Sequence, residues 1–326
     1  MPIETSTART PEQLDAEVRK LLAGRTRRSF LIGGTAALLG AGAYQWLYKA
    51  NQINQLQHPL RTTEEFNRAL NDGLFQQASL APTYPSSAIT GLRINGDYGI
   101  DPHLIQTSWG LQLIGLDRPQ QYRQYMPDVD LWEYKTSDNT GADPTPAPTQ
   151  PNPKSKGLNL SAAAPATLPH MEETTGATTA AGATPGVVLS LADLKKMPYT
   201  EQITQFKCIE GWSQILRWGG VKFSDVLKAY PPANIGGAAP KYVTMETSDG
   251  QYNASFDMQS LLHPQTLLCY SMGGQPLESA HGAPLRLAMP LKYGYKQIKA
   301  IASITYSNTR TPDYWEKLGY DWYAGL

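Results

Sequence analysis

A stretch dominated by Ala, Thr, Pro and Gly, running from roughly Asp128 to Gly186, limits what this chain can fold into more than any other feature. It contains Thr145-Pro146-Ala147-Pro148-Thr149 and Thr178-Thr179-Ala180-Ala181-Gly182. Such a composition buries too little apolar surface to offset the entropy of ordering it. A structureless loop of this length is uncommon inside a compact domain, so residues 129–186 read as an insertion, either disordered or serving as a docking arm. The folded part is then expected to be assembled from two separated stretches, 51–128 and 187–326.

Residues 1–50 read as a leader. Thr26-Arg27-Arg28-Ser29-Phe30-Leu31 is a twin-arginine pattern, and Ile32 to Leu47 follows without a charge and rich in Gly and Ala. A weakly apolar run behind paired arginines suits export to the periplasm by the twin-arginine route. Ala41-Gly42-Ala43 offers a small-x-small cleavage site. The other reading is an uncleaved anchor, because a spanning helix needs about 20 apolar residues. Further upstream, Leu14, Val18, Leu21 and Leu22 recur at helical spacing.

After the leader, Thr62-Thr63-Glu64-Glu65 reads as a capping box that opens a helix, with Phe66 and Leu70 on one face and Gly73 as its stop. Trp109 to Gly115 predicts a strand partly buried on both faces. Beyond the insertion, Val187-Val188-Leu189 predicts a strand and Ser190-Leu191-Ala192-Asp193-Leu194 a short capped helix. A further helix starts at Ser224-Asp225-Val226-Leu227. Alternation returns at Tyr242–Thr247, Leu285–Met289 and Ile298–Tyr306. The expected class is α+β, a mixed domain with a largely β C-terminal part.

Charge and cysteine count remove several functions. Lys plus Arg number 28 and Asp plus Glu 28, so no net field favours nucleic acid. The two cysteines, Cys208 and Cys269, form no CxxC pair, which excludes a cysteine-built zinc site, an iron–sulfur cluster and a CxxCH haem attachment. The five histidines (His58, His103, His170, His263 and His281) show no HExxH pattern. Cys269 has apolar neighbours and suits a core role. Cys208 reads two ways: as an inert buried thiol, the usual fate of a lone cysteine, or as a thiol at a strand end, turned into a cleft by the Gly211 turn.

Several motifs occur together in order. Cys208-Ile209-Glu210-Gly211-Trp212-Ser213 resembles the C-x-E-[GA]-W-S segment of bacterial sulfite-oxidase-like molybdopterin enzymes. His281-Gly282-Ala283-Pro284-Leu285-Arg286 resembles their pterin-binding [NH]-G-x-P-x-R segment, and Pro290 to Lys299 their P-x-K-Y-G-x-K-x-I-K block. Glu246-Thr247, Arg93-Ile94-Asn95-Gly96 and the ending Tyr314 to Tyr323 are similar in kind. The likeness covers most of Gly186 to Leu326 and, more weakly, Ile89 to Pro119. Within that superfamily it points to the protein-methionine-sulfoxide-reductase branch.

The resemblance implies one molybdenum per chain, held by a molybdopterin, with Cys208 as the protein ligand to the metal. Soft thiolates suit molybdenum, and a coordinated thiol is deprotonated. It implies that Asn95, Thr247, His281, Arg286, Gln297, Ile298 and Lys299 hold the pterin and its phosphate. Arg286 would use its guanidinium fork; without the motif it reads as an ordinary surface ion pair. Lys292 and Tyr293 either line the metal cavity or serve structure. Where sulfite-oxidising members carry arginines after the metal cysteine, this chain has Glu210-Gly211-Trp212-Ser213, whereas His281 is the sulfite-oxidase choice.

The implied activity is oxygen-atom transfer at molybdenum, as sulfoxide reduction on a small-molecule or protein-bound substrate. The alternatives are oxidation of sulfite or another small oxyanion, and a non-catalytic exported binding protein. Because haem, flavin and cluster motifs are missing, electrons are expected from an external carrier, a cytochrome or a haem-bearing membrane subunit.

Overall fold

The strand-like stretches on either side of the Ala/Thr/Pro-rich segment pair with each other. A computed structural model of the chain describes residues 38–94, 96–137 and 182–326, together with Ala16 and Lys20. The twin-arginine pattern, the Leu14, Val18, Leu21 and Leu22 positions, Asn95 and residues 138–181 lie outside the described residues.

Two units form. The first comprises residues up to Leu74 with Lys317–Tyr320. Its described part is helical over 38–49, then turns through a hairpin of β1 (Gln52–Ile53) and β2 (Leu56–Gln57) into helix α1 (His58–Leu74). The helix begins four residues earlier than the capping-box reading placed it. Pro59 is tolerated in a first turn, where a missing N–H is no loss. Thr62 and Thr63 therefore sit inside the helix, and their hydroxyls donate to His58 O and Pro59 O, each at 3.0 Å. Among the described residues, no helix is long and apolar enough to cross a membrane.

The second unit comprises Phe75–Glu316 and Asp321–Leu326. Strands β3 (Leu111–Ile114), β4 (Tyr125–Met126), β5 (Gly186–Leu189), β8 (Tyr242–Thr247), β9 (Asn253–Asp257) and β13 (Ile301–Ser307) form one sheet, ordered β4-β5-β3-β13-β8-β9. All its pairings are antiparallel except β3 with β13. Leu111 pairs with Leu189 and Leu113 with Val187, so the two sides of the insertion are joined in the middle of this sheet. Leu111, Gln112 and Leu113 are all buried, as expected for a strand covered on both faces, and Gln112 Nε2 donates to Val129 O at 3.2 Å.

Strands β6 (Tyr199–Lys207), β7 (Ser213–Lys222), β10 (Leu267–Met272), β11 (Gln275–Pro276) and β12 (Arg286–Ala288) form the other sheet. Its order is β11-β10-β7-β6, with β12 also paired to β10. The short helices α2 (Leu191–Leu194), α3 (Phe223–Ala229) and α4 (Met258–Leu261) cap strand ends. In α2 the expected Ser190–Asp193 capping box is present in both directions. Leu111, Val187, Met245 and Ile304 from the six-stranded sheet share one core cluster with Val221, Leu268 and Leu287 from the five-stranded one. This agrees with the expected α+β class.

The segment read as an insertion, 129–186, has folded flanks. Val129 is fully buried, and the Tyr134 hydroxyl lies 2.9 Å from Gly110 O and 3.1 Å from Ala302 O. Gly186 already belongs to β5. Composition averaged over the stretch hid the apolar and aromatic residues at its edge, Val129, Leu131, Trp132 and Tyr134, which have surface to bury.

Candidate functional site

Cys208 stands where the longest hairpin turns. β6 and β7 pair in register from Tyr199↔Val221 to Lys207↔Ser213, which leaves residues 208–212 to make the loop. Cys208 N donates to Trp212 O at 2.9 Å and Gly211 N to Cys208 O at 3.1 Å. Gly211 has φ 88°, a left-handed value that a residue with a Cβ adopts only with strain. The loop conformation thus leaves the half-buried Cys208 packed, like Trp212, against the cluster that contains Phe206, Leu216 and Trp218. Burial raises the thiol pKa above its ordinary value; backbone N–H groups of the loop and the Arg93 charge pull the other way. Glu210 accepts from the Trp212 indole N–H at 2.8 Å and so helps to fix the same turn.

Alternation along the two strands puts Phe206, Gln214, Leu216 and Trp218 on one face of the sheet. With Met272, Arg93, His281 and Arg286 they line a hollow of about 190 Å³. That volume includes space open to solvent, so the hollow is a shallow surface depression rather than a closed cavity. The stretch before Arg93 crosses the sheet: Tyr84 N donates to Ile203 O and Thr90 N to Ile215 O, each at 3.0 Å. The Arg93 guanidinium then stacks over Trp212, 4.4 Å from the ring centroid. The sequence reading names Asn95 of the Arg93-Ile94-Asn95-Gly96 motif as the pterin contact and gives Arg93 no separate role. The arginine was visible in the motif, but its approach to the Cys208 loop depends on a crossing that sequence does not display.

Arg286 is 2% exposed and stacks over Trp218 at 4.9 Å. It donates to His281 O at 2.9 Å and to Gln297 O at 3.5 Å, yet its Nε has no partner among the described residues. Desolvation pulls its pKa down to about 10. No carboxylate offsets that charge among the described residues. This is the reverse of the ordinary surface ion pair. A buried, uncompensated guanidinium with an idle N–H fits an anionic group that binds there.

Lys299 Nζ donates to Gly96 O at 2.8 Å and Ala280 O at 3.3 Å, tying the segment after Asn95 to the turn before His281. Desolvation, followed by the Arg286 charge, lowers its pKa to about 7. His281 is buried, and desolvation ahead of the Arg286 and Lys299 charges lowers its pKa too. A phosphate placed among these three groups would relieve all three penalties. The donor set therefore fits a molybdopterin: a thiol packed on the aromatic cluster that walls the hollow, and a buried Arg286 that faces no acid among the described residues, while Asp97 and Glu278 only partly offset the penalties on Lys299 and His281.

The other expected residues are placed differently. Gln297 spends its amide on Met289 N (3.4 Å) and Lys292 O (3.1 Å), and Ile298 is core. The Thr247 hydroxyl lies 2.6 Å from Asp249 Oδ1 and 3.2 Å from Tyr252 O. Lys292 Nζ sits 3.6 Å from Asp257 and 3.1 Å from the centroid of the Tyr323 ring, outside the lining of the hollow. Tyr293 N donates to Ala324 O at 3.0 Å, and the next residue, Gly294, lies so close to the Phe206 ring that a Cβ would overlap it. The Lys-Tyr-Gly loop thus touches the site through Gly294.

Comparison with known proteins bears on the same region. Residues 179–315 match the family model described as the oxidoreductase molybdopterin binding domain. A protein of Azospira oryzae named as a candidate protein-methionine-sulfoxide reductase subunit, YedZ1, is 40% identical over 136 residues, 42% of this chain and 50% of that protein. The protein-methionine-sulfoxide reductase catalytic subunit MsrP of Xanthomonas campestris pv. campestris is 35% identical over 145 residues, 40% of this chain and 44% of that protein. MsrP of Campylobacter jejuni is 30% identical over 156 residues, 43% of this chain and 52% of that protein. The chain spans about half the length of the curated relatives it matches. Among solved structures, the sulfane dehydrogenase SoxCD from Paracoccus pantotrophus is 20% identical with a TM-score of 0.34, covering 39% of this chain and 36% of that one, too slight a likeness to argue from.

Proposed function

We propose that the chain binds a molybdopterin in a domain of the sulfite-oxidase-like, protein-methionine-sulfoxide-reductase type and uses that cofactor to reduce sulfoxides, with Cys208 as ligand to a single molybdenum; the match of residues 179–315 to the oxidoreductase molybdopterin binding domain supports the reading. The observation that carries the reading is the buried Arg286, whose Nε has no partner among the described residues, lining a hollow whose Phe206, Leu216 and Trp218 belong to the cluster that the half-buried Cys208 packs against. When bound, the cofactor supplies a metal that exchanges an oxygen atom and two electrons with the substrate. Cys208 would give up its proton to serve as a thiolate ligand. Arg286 and Lys299 would neutralise the cofactor phosphate, and His281, which lines the same hollow, would offer a ring nitrogen. Phe206 and Trp218 give the hollow an aromatic wall.

The names of the relatives support methionine sulfoxide, free or in a protein, as substrate. The twin-arginine pattern supports export to the periplasm, and the lack of haem, flavin and cluster motifs supports an external electron carrier, a cytochrome or a haem-bearing membrane subunit.

One observation favours the rival reading, oxidation of sulfite or another small oxyanion: Arg93 brings a cation to the Cys208 loop from a distant segment. Molybdenum content of the purified chain, measured beside Cys208→Ser, tests the cofactor assignment. About one metal per chain, lost or spectroscopically altered in the variant, is the expected result, and a metal-free parent from a cofactor-competent host overturns it. Turnover of methionine sulfoxide with an artificial electron donor, against sulfite with an artificial acceptor, then separates the two chemistries.

A further inference from the structure

Helix α1 wears its amphipathic faces the wrong way round for a helix packed on its own protein. At 100° per residue, Leu60, Thr63, Phe66, Asn67, Leu70 and Leu74 share one uncharged side, and Arg61, Glu64, Glu65 and Arg68 share the other. The charged side is the one turned inward. Arg61 is 7% exposed and bonds Glu64 at 2.7 Å, Tyr320 O at 3.3 Å and Asn54 O at 3.3 Å. The apolar side faces out, with Phe66 67%, Leu70 51% and Leu74 67% exposed. An uncharged apolar stripe of this kind marks a surface that something else covers.

What precedes α1 identifies the cover. The helical residues 38–49 carry no charge before Lys49, and Leu38, Leu39, Tyr44, Trp46 and Tyr48 are all exposed. In sequence, the uncharged run extends back to Ser29, directly after Arg27-Arg28, about the length that a hydrocarbon core demands. Tyr44, Trp46 and Tyr48 just ahead of Lys49 are the residues that settle at headgroup level. The hairpin then returns the chain: His58 N donates to Asn51 O at 2.7 Å, so α1 starts beside the end of that aromatic segment. With Tyr44, Trp46 and Tyr48 at headgroup level, the stripe would begin at the depth of the interface.

From this juxtaposition we propose that α1 lies along a lipid bilayer surface, with Phe66, Leu70 and Leu74 in the boundary between headgroups and acyl chains. The proposal goes beyond the catalytic reading and does not rest on it. The outward face has no lysine or arginine, so binding needs no anionic lipid and is insensitive to salt.

The full chain is reconstituted in phosphatidylcholine vesicles that contain a phosphatidylcholine with a photoreactive diazirine on its acyl chain, and lipid adducts are mapped by mass spectrometry. Adducts are expected on 44–48 and on 60–74, with equal yield at low and high salt. Replacing Phe66→Ser, Leu70→Ser and Leu74→Ser together should cut the 60–74 adducts at least tenfold and leave circular dichroism unchanged. Adducts confined to residues before Lys49 overturn the proposal, as does a 60–74 yield that the triple variant retains. Protection of 60–74 in a lipid-free dimer also overturns it, by showing that a second copy covers the stripe.

Discussion

Arg286 keeps a full guanidinium in the interior with two carbonyls and, among the described residues, no acid for company. In the absence of cofactor such a charge is a burden, since breaking or omitting a partner leaves an uncompensated ion in a poor dielectric. Arg286→Met is therefore expected to leave the metal-free chain at least as stable as the parent in thermal melts, while lowering molybdenum retention tenfold or more. Equal loss in both measurements would show Arg286 to be ordinary structure.

The two buried lysines give a pH signature in the metal-free chain. Burial holds Lys292 near about 8 and Lys299 near about 7, both below the value of 10.5 expected when unfolded. Between these limits the unfolded chain binds more protons than the folded one, so stability rises as pH increases. The opposite sign applies to Tyr134, Tyr252 and Tyr306, whose pKa values burial raises above 10.0. Their contribution is present below pH 10 and is lost above it. Denaturant melts are expected to show stability climbing by on the order of 2 kcal/mol from pH 7 to 9, then falling beyond pH 10. Lys299→Met should flatten the rising limb. Neither lysine shift is visible in sequence, because a lysine shows its burial only after folding.

At the scale of elements, the Cys208 hairpin and the Lys-Tyr-Gly loop interlock through one glycine. Gly294 faces the Phe206 ring with no room for a methyl group. Gly294→Ala should destabilise the chain by about 1–3 kcal/mol through overpacking and shift Phe206 in the cluster that Cys208 packs against. Reduced molybdenum retention together with a lowered Tm would check this. Ser190→Ala removes one half of the capping box of α2 and should cost about 1 kcal/mol with metal content unchanged. The capping box at Ser190 was legible because its partners lie three residues apart. The same pattern at Thr62 misled, because Pro59 and the hairpin before it let the helix start sooner. Local chemistry proposes a cap; the chain entering the helix decides whether it is used.

At the scale of the whole molecule, the six-stranded sheet closes across the Ala/Thr/Pro-rich segment through β3 and β5. Replacing residues 138–181 with a Gly/Ser linker of about ten residues should leave the Tm within a few degrees of the parent, because loop-closure entropy changes only slowly with length. A collapse of the melting transition would show that the segment contributes to the fold.

Sequence alone determined the α+β class, the main strands, the core role of Cys269 and the strand-end position of Cys208. Those follow from periods of two and 3.6 residues and from turn chemistry, which act over a few neighbours. The motif resemblance added the cofactor class on the same local footing. Only the tertiary structure decided that Arg93 reaches Trp212, that Lys292 turns to Asp257 and Tyr323, and that α1 points its leucines outward. Each of these depends on which distant segment arrives next to which, through strand pairings and buried contacts spanning many residues, and periodicity along a chain carries no record of such meetings.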